Sequence, residues 1–383
     1  MELDALLADA VAADASDIHL KVGRPPLLRR DGDVTPLAGF SDMTAADLGL
    51  VLRTLTAGAP KRYESFQETG ELDLAYTPPG LPRFRVNAFR QRGATSFAFR
   101  VIPREAPRLV DLALPSAIER LAEEHRGLVL VTGATGSGKT MTLAAIVDHI
   151  NRTRASHVVT IEDPIEVVHD DHRSIISQRE VGLDTESFGQ ALRRALRQDP
   201  DTILIGELRD AETAQTALQA AESGHLVLST LHTIDAAETI GRLIEFFPEG
   251  KQAQIRSILA GVLRGVVSQR LLPRAGGGRV AVAEVMVNNA RISDLIREGR
   301  PEEIGDAVAE GEFFGMQTFQ QALIAKVLDR LIDRDTAADA SSNRHDFLVA
   351  LDYALKAQAV ATVASVALEP EPMSSAGLRL ATG

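Results

Sequence analysis

Gly133-Ala134-Thr135-Gly136-Ser137-Gly138-Lys139-Thr140 follows an unbroken apolar run at residues 128–132 and opens a helical pattern that continues to about Ile150. Strand, glycine-rich loop and helix, in that order, form the context in which the pattern G-x-x-x-x-G-K-[ST] binds nucleotide phosphate. The glycines let successive backbone N–H groups turn toward an anion, and the helix N-terminus adds positive potential. In such a loop Lys139 reaches the β- and γ-phosphates and the Thr140 hydroxyl ligates Mg²⁺. Gly133, Ala134, Thr135, Gly136, Ser137, Gly138, Lys139, Thr140 and Met141 are therefore the expected nucleotide-binding segment. A match of this kind arises by chance in roughly one chain of this length in a hundred, and the strand–helix context lowers that further.

On the C-terminal side, apolar runs alternate with helical periodicity: runs at 158–161, 202–205 and 226–230, and helices at about 187–197 and 211–223. Buried runs separated by helices predict an α/β unit, a parallel sheet covered on both faces. From about Gly250 the pattern reads as helical, interrupted by Pro273 and Gly276-Gly277-Gly278 before a strand at 280–287. On the N-terminal side, the first hundred residues read as short strands (18–22, 27–30, 71–76, 83–91, 96–102) between turn signals, with helical segments at the N-terminus and at 44–55, a small α+β domain. Pro103 and Pro107 bracket the expected linker. The predicted organisation is a first domain at 1–103, a linker at 104–113, a second domain at 114–343 and an Ala-rich tail at 344–383 whose last ten or more residues are expected to be disordered.

Four further constellations carry chemistry. Thr160-Ile161-Glu162-Asp163-Pro164-Ile165-Glu166 puts three carboxylates at the C-terminal end of a strand, the edge that faces ligand in an open α/β sheet. One of them is placed to hold an attacking water, or all form a solvated acidic turn. The run 202–205 followed by Gly206 and Glu207 has the form of a Walker-B strand that holds Mg²⁺ through water, with Glu for the usual Asp. His225 and His232 bracket one strand; seven residues apart they lie roughly 23 Å from each other, too far to share a metal. Arg83, Arg85, Arg90, Arg92 and Arg100 cluster on strands of the first domain, either a solvated face or a source of phosphate-contacting arginine across a subunit interface.

Composition narrows the class. The 383 residues include no cysteine, which excludes a disulfide scaffold or a cysteine-ligated zinc site. With 41 Lys+Arg against 53 Asp+Glu the formal charge is −12, which argues against nucleic acid or anionic lipid as a partner of the whole surface. The acidic N-terminus lacks the basic start and apolar core of a secretory signal, and no stretch reaches the ~20 apolar residues of a membrane span. A cytoplasmic protein is expected.

Taken together, Ser16-Asp17-Ile18-His19-Leu20, Arg83-Phe84-Arg85-Val86-Asn87, the P-loop, Glu162-Asp163-Pro164-Ile165-Glu166, Gln178-Arg179-Glu180-Val181-Gly182, Gly206-Glu207-Leu208-Arg209-Asp210, Gly224-His225, Thr230-Leu231-His232, Ser268-Gln269-Arg270-Leu271-Leu272-Pro273 and Gly315-Met316-Gln317-Thr318 closely resemble the type IV pilus retraction ATPases, the PilT/PilU family of the secretion-ATPase superfamily. The resemblance covers most of the chain. It implies a PAS-like α+β domain followed by a RecA-like P-loop ATPase domain, six copies forming a ring, and ATP with Mg²⁺ as ligands. Carried over by position, Glu166 activates water, Glu207 is the Walker-B acid, His225 and His232 form a histidine box, and Arg85 and Arg100 are the arginine fingers. The implied partners are the inner-membrane pilus platform protein, which would hold the ring at the inner face of the cytoplasmic membrane, and a second retraction ATPase. The missing cysteines disfavour the extension-type relatives, which carry a tetracysteine zinc element. One stretch departs from the family: its Ala-Ile-Arg-Asn-Leu-Ile signature corresponds to Ala290-Arg291-Ile292-Ser293-Asp294-Leu295-Ile296, altered at the start while keeping Leu-Ile. An accessory, PilU-like role therefore stays open beside retraction, as does, more remotely, a nucleic-acid motor.

Overall fold

The structure is a computed structural model that describes residues 2–30, 32–102 and 106–367. Residues 104–105 of the expected linker and the end of the tail lie outside the described residues.

The first sheet contains β1 (Asp17–Leu20), β2 (Leu27–Arg30), β3 (Asp33–Pro36), β4 (Glu71–Tyr76), β5 (Phe84–Gln91) and β6 (Ala94–Val101), in the order β3-β2-β1-β6-β5-β4. Every pairing is antiparallel. One face is apolar and packs on α1 (Leu3–Ala12), α2 (Ala45–Thr56) and α3 (Pro60–Thr69), burying Leu6, Leu7, Leu48, Phe66, Phe84, Phe97 and Phe99. Period-two alternation puts Phe84, Val86 and Ala88 into this core and leaves Arg85 on the other face, directly opposite Arg100.

After α4 (Ser116–Ala122) comes β7 (Gly127–Thr132), the P-loop and α5 (Lys139–Thr153), then β8 (His157–Glu162), β9 (Ile175–Glu180), α6 (Phe188–Ala195), β10 (Thr202–Ile205), α7 (Ala211–Glu222), β11 (Leu226–Leu231), α8 (Ala236–Glu245) and α9 (Glu249–Val262). The chain continues through β12 (Leu263–Pro273), β13 (Arg279–Val287), α10 (Ala290–Glu298), α11 (Ile304–Ala309), α12 (Phe319–Leu328), α13 (Arg334–Ala340) and α14 (Arg344–Ala367). The second sheet has the order β13-β12-β7-β11-β10-β8-β9, parallel except for the β12–β13 hairpin. Its central strands β7, β10 and β11 are buried along their whole length because both faces are covered. Leu128 and Leu130 of β7 pack with α6 to α9, whereas Val129 and Val131 pack with α4 and α5. Ile203 and Ile205 repeat the first arrangement and Leu204 the second.

The helical pattern expected beyond Gly250 ends at Val262: residues 263–273 form a strand instead. The physical reason is burial on both faces between β7 and β13, which removes period-two alternation, while Arg264, Ser268, Gln269 and Arg270 interrupt the apolar residues, so no strand signal is left. The altered signature segment lies on α10, where Ile292, Leu295 and Ile296 are buried, while Arg291 and Asp294 face outward and pair with Glu310 and Arg297. The tail begins as helix α14, anchored by buried Phe347 and Leu351. The disorder expected at its end lies outside the described residues, among which no helix is long and apolar enough to cross a membrane.

Candidate nucleotide site

The parallel registers Thr132↔Leu231, Ile205↔Ser229 and Ile205↔Ile161 bring the carboxyl ends of β7, β8, β10 and β11 to one edge of the sheet. That edge borders a cavity of ≈ 530 Å³ lined by the P-loop, Thr160, Glu162, Asp163, Glu166, His169, Glu207, Arg209, His232 and, from the antiparallel sheet, Arg100.

The loop at 133–138 is held from below by Gln269 of β12. Its side-chain amide donates to the Ser137 carbonyl at 2.9 Å, and its oxygen accepts from the Thr142 hydroxyl at 2.7 Å. Gly133 (φ 140°) and Gly138 (φ 92°) are required here twice over, by the left-handed backbone and by proximity. A Cβ on Gly133 would collide with the Gln269 carbonyl oxygen, and one on Gly138 would lie 2.7 Å from its amide nitrogen. Lys139 opens α5 and folds its ammonium back onto the carbonyls of Gly133 (2.7 Å) and Ala134 (3.0 Å). Burial lowers its pKa, with Glu166 opposing the effect. An arriving phosphate would replace those carbonyls as partner of the ammonium.

The acidic turn divides its carboxylates. Glu162 accepts from the Thr160 hydroxyl at 2.6 Å and from Gln178 at 3.1 Å, yet burial wins and raises its pKa. Glu166 is exposed at the cavity, free of that burial.

Glu207 is gripped from two sides: Arg209 makes an ion pair with it, and His232 Nε2 lies 3.1 Å from its Oε2. The His232 pKa is lowered by burial, then by Lys139 and Arg209, which favours the neutral ring; an ionised carboxylate only accepts, so Nε2–H is the donor in this contact. Arg209 also stacks over Phe188 at 5.9 Å and approaches Asp163 at 3.8 Å.

Thr140 and Glu207 offer oxygen donors to the one cavity, and the described residues contain no group of three or more His, Asp or Glu that could hold a metal by themselves. Hard oxygen donors, few from protein, match Mg²⁺, which keeps waters and takes phosphate oxygens as ligands.

Two of the expected site residues stand apart. His225 sits at the other end of β11, next to Gly127 at the start of β7, where its Nδ1 lies 3.0 Å from both Ser223 Oγ and the Ala220 carbonyl oxygen. It is remote from the P-loop edge because the strand between the histidines is extended. Arg85 is exposed and does not line the cavity, whereas Arg100 does, tethered to Asp17 at 2.8 Å. Burial works to raise the Asp17 pKa, but hydrogen bonds from Arg100 and Ser16 hold it below the usual value. The remaining arginines of the basic cluster have other engagements. Arg83 pairs with Glu180, Arg90 stacks on Phe66, and Arg92 lies at the β5–β6 turn.

The family described as type II/IV secretion system protein matches residues 82–277. The chain belongs to that family. The type IV pilus retractation ATPase PilT of Pseudomonas aeruginosa is 42% identical over 347 residues, 91% of this chain and 100% of that protein. The type IV pilus ATPase PilU of the same organism is 40% identical over 324 residues, 84% of each. The crystal structure of the pilus retraction motor PilT with bound ADP matches with a TM-score of 0.84 at 41% identity, covering 90% of this chain and 98% of that one. The fold is the α/β fold of the secretion ATPases.

Sequence reasoning assigned no role to Gln269, Arg209 or His169. Gln269 lies 132 residues from the carbonyl it holds, so no spacing announces it. His169 lines the cavity with its pKa pulled down to about 4 by burial, against the opposing charges of Asp148 and Asp170, and is a neutral wall residue.

Proposed function

We propose that this chain is an ATP-hydrolysing motor that drives type IV pilus retraction, working as a ring of six copies. The observation that carries the reading is the convergence of the P-loop, Glu166, Glu207 and His232 on one cavity. A solved relative of the same fold holds ADP.

In this reading the backbone N–H groups of residues 133–138 and the Lys139 ammonium bind the β- and γ-phosphates. Thr140 and Glu207 would hold Mg²⁺, which would neutralise charge on the phosphates when bound. Glu166 orients the attacking water and accepts its proton. His232 fixes the Glu207 carboxylate by donating to it. Arg100, and Arg85 on the same open face, are the arginines offered to phosphate, either within a subunit or across the ring. Residues 1–103 and 114–343 form the two moving parts, joined at 104–113, and residues 344–383 are an appendage. The pilus platform at the inner face of the cytoplasmic membrane is the proposed site of action.

Deleting the gene tests the reading: surface pili accumulate and twitching is lost, and the wild-type gene restores both while a Glu166→Gln copy does not. Unchanged piliation and motility would contradict it. The altered outer face of α10 and the 40% identity to PilU favour a second reading, an accessory ATPase acting beside another retraction motor. In that case the deletion would impair retraction only when the other motor is weakened.

A further inference from the structure

We propose that Glu180, held by Arg83 of the antiparallel sheet, is a positioning residue for Glu166, so that the placement of the N-terminal unit sets the rate of ATP cleavage. The proposal rests on the role given to Glu166 above.

Glu180 ends β9, the outermost strand of the parallel sheet, and its side chain is only 5% exposed. Its Oε2 accepts from Arg83 Nη2 at 2.5 Å and from the backbone N–H of Ile165 at 3.2 Å. Ile165 immediately precedes Glu166. One carboxylate oxygen thus ties a cation from the first sheet to the backbone beside the residue that faces the nucleotide cavity.

The tie is not isolated. Two residues earlier on β9, Gln178 donates to the Val167 carbonyl at 2.9 Å and accepts from the His169 N–H at 2.8 Å. Farther along, the Val181 N–H donates to the Glu162 carbonyl at 2.8 Å. The loop is therefore clamped at 162, 165, 167 and 169 by side chains and backbone of the 178–181 segment, and Glu166 lies between two clamped positions. Glu180 itself is fixed by its own N–H donating to Asp184 Oδ2 at 2.8 Å. A second cross-unit bond, Arg62 Nη2 to the Gly182 carbonyl at 3.1 Å, holds the turn that follows.

Geometry makes this a lever. If the N-terminal unit moves, Arg83 leaves, and a carboxylate stripped of its cation in a buried setting is driven to turn toward water. Turning breaks the bond to Ile165, the clamp directly before Glu166, and lets Glu166 shift between the clamps that remain. Because a shift of about 1 Å at a catalytic group costs on the order of 10²-fold in rate, a small rotation is enough to switch turnover. The Lys139 loop and its Gln269 support are built from other strands, so nucleotide binding is spared. This also gives Arg83 a role within its own chain, separate from phosphate contact.

The test compares kcat, KM for MgATP, affinity for a fluorescent ATP analogue and melting temperature in the full chain for Arg83→Gln, Glu180→Gln, the double variant, Arg83→Lys and Glu166→Gln. The lever predicts that each neutral single variant loses about tenfold in kcat while KM and affinity stay within about twofold, that the double is no slower than either single, and that Arg83→Lys recovers most of the rate. Wild-type kcat in both singles beside an inactive Glu166→Gln would overturn the lever and leave the reading of Glu166 standing. Losses that multiply in the double and follow melting temperature would reduce the pair to structure, and also overturn it. A Glu166→Gln protein with wild-type turnover would remove the underlying reading instead. Should Arg83→Gln fail to fold, Arg62→Ala cuts the exposed second tie: about a threefold fall in kcat supports the lever, and an unchanged kcat overturns it.

Discussion

The two edges of the parallel sheet each carry a histidine flanking β11, and of the two only His232 lines the cavity beside the P-loop. At the carboxyl edge His232 meets Glu207 and Arg209 beside the P-loop. At the amino edge His225 meets only the end of its own helix α7 and Ser223. The strand between them is identical in kind along its length, so the difference comes from what arrives at each end. Parallel strands deliver loops, and with them the P-loop, Glu166 and Glu207, to the carboxyl edge, while helix ends close the other. A residue type says little about function until the strand direction is known.

Four measurements sharpen or break that contrast. The largest effect is expected from Lys139→Ala, which removes the phosphate-facing charge and should lower ATP turnover on the order of 10³-fold or more. A variant with near-normal turnover would mean that the P-loop edge is not the site. Glu207→Gln should cost on the order of 10²-fold, and titration with Mg²⁺ should show a higher requirement than wild type. The histidines test the two edges directly by steady-state kinetics. His232→Ala should lose about tenfold in kcat, and His225→Ala less than about twofold, when purified under identical conditions. Equal losses would erase the distinction.

The smallest effect concerns stability. His169 has its pKa lowered from 6.5 to about 4 by burial, so the unfolded chain binds more protons than the folded one between those values. Folding stability therefore rises with pH across that window and is lost as pH falls through it, by about 3 kcal/mol at most. Denaturant midpoints measured from pH 4 to 7 should show a shallower slope for His169→Gln than for wild type.

What the sequence could tell followed the same division. The P-loop, the acidic turn after β8 and the Gly206-Glu207 end of β10 are each a strand and its following loop, so local pattern was enough to find them. The roles within the acidic turn were not local. Burial separates Glu162 from Glu166, and it comes from strands β9 and β10 packed on either side of β8. Gln269 and Glu180 act at sequence distances of 132 and 15 residues from the backbone they hold, and neither carries a spacing that marks it. The strand at 263–273 was hidden for a related reason, since burial on both faces removes the alternation by which a strand is read. The arginines of the first sheet looked alike in sequence and part company only in three dimensions, where Arg100 reaches the cavity and Arg83 is locked on Glu180.

The central claim is that Glu166, at the carboxyl edge, activates the water that cleaves ATP. A single-turnover experiment with radiolabelled ATP, Mg²⁺ and excess Glu166→Gln protein measures it most directly. The account predicts that ATP binds with near wild-type affinity and stays intact, with the cleavage rate lowered about 10²- to 10⁴-fold. Cleavage at the wild-type rate would contradict it and move the catalytic role to another group.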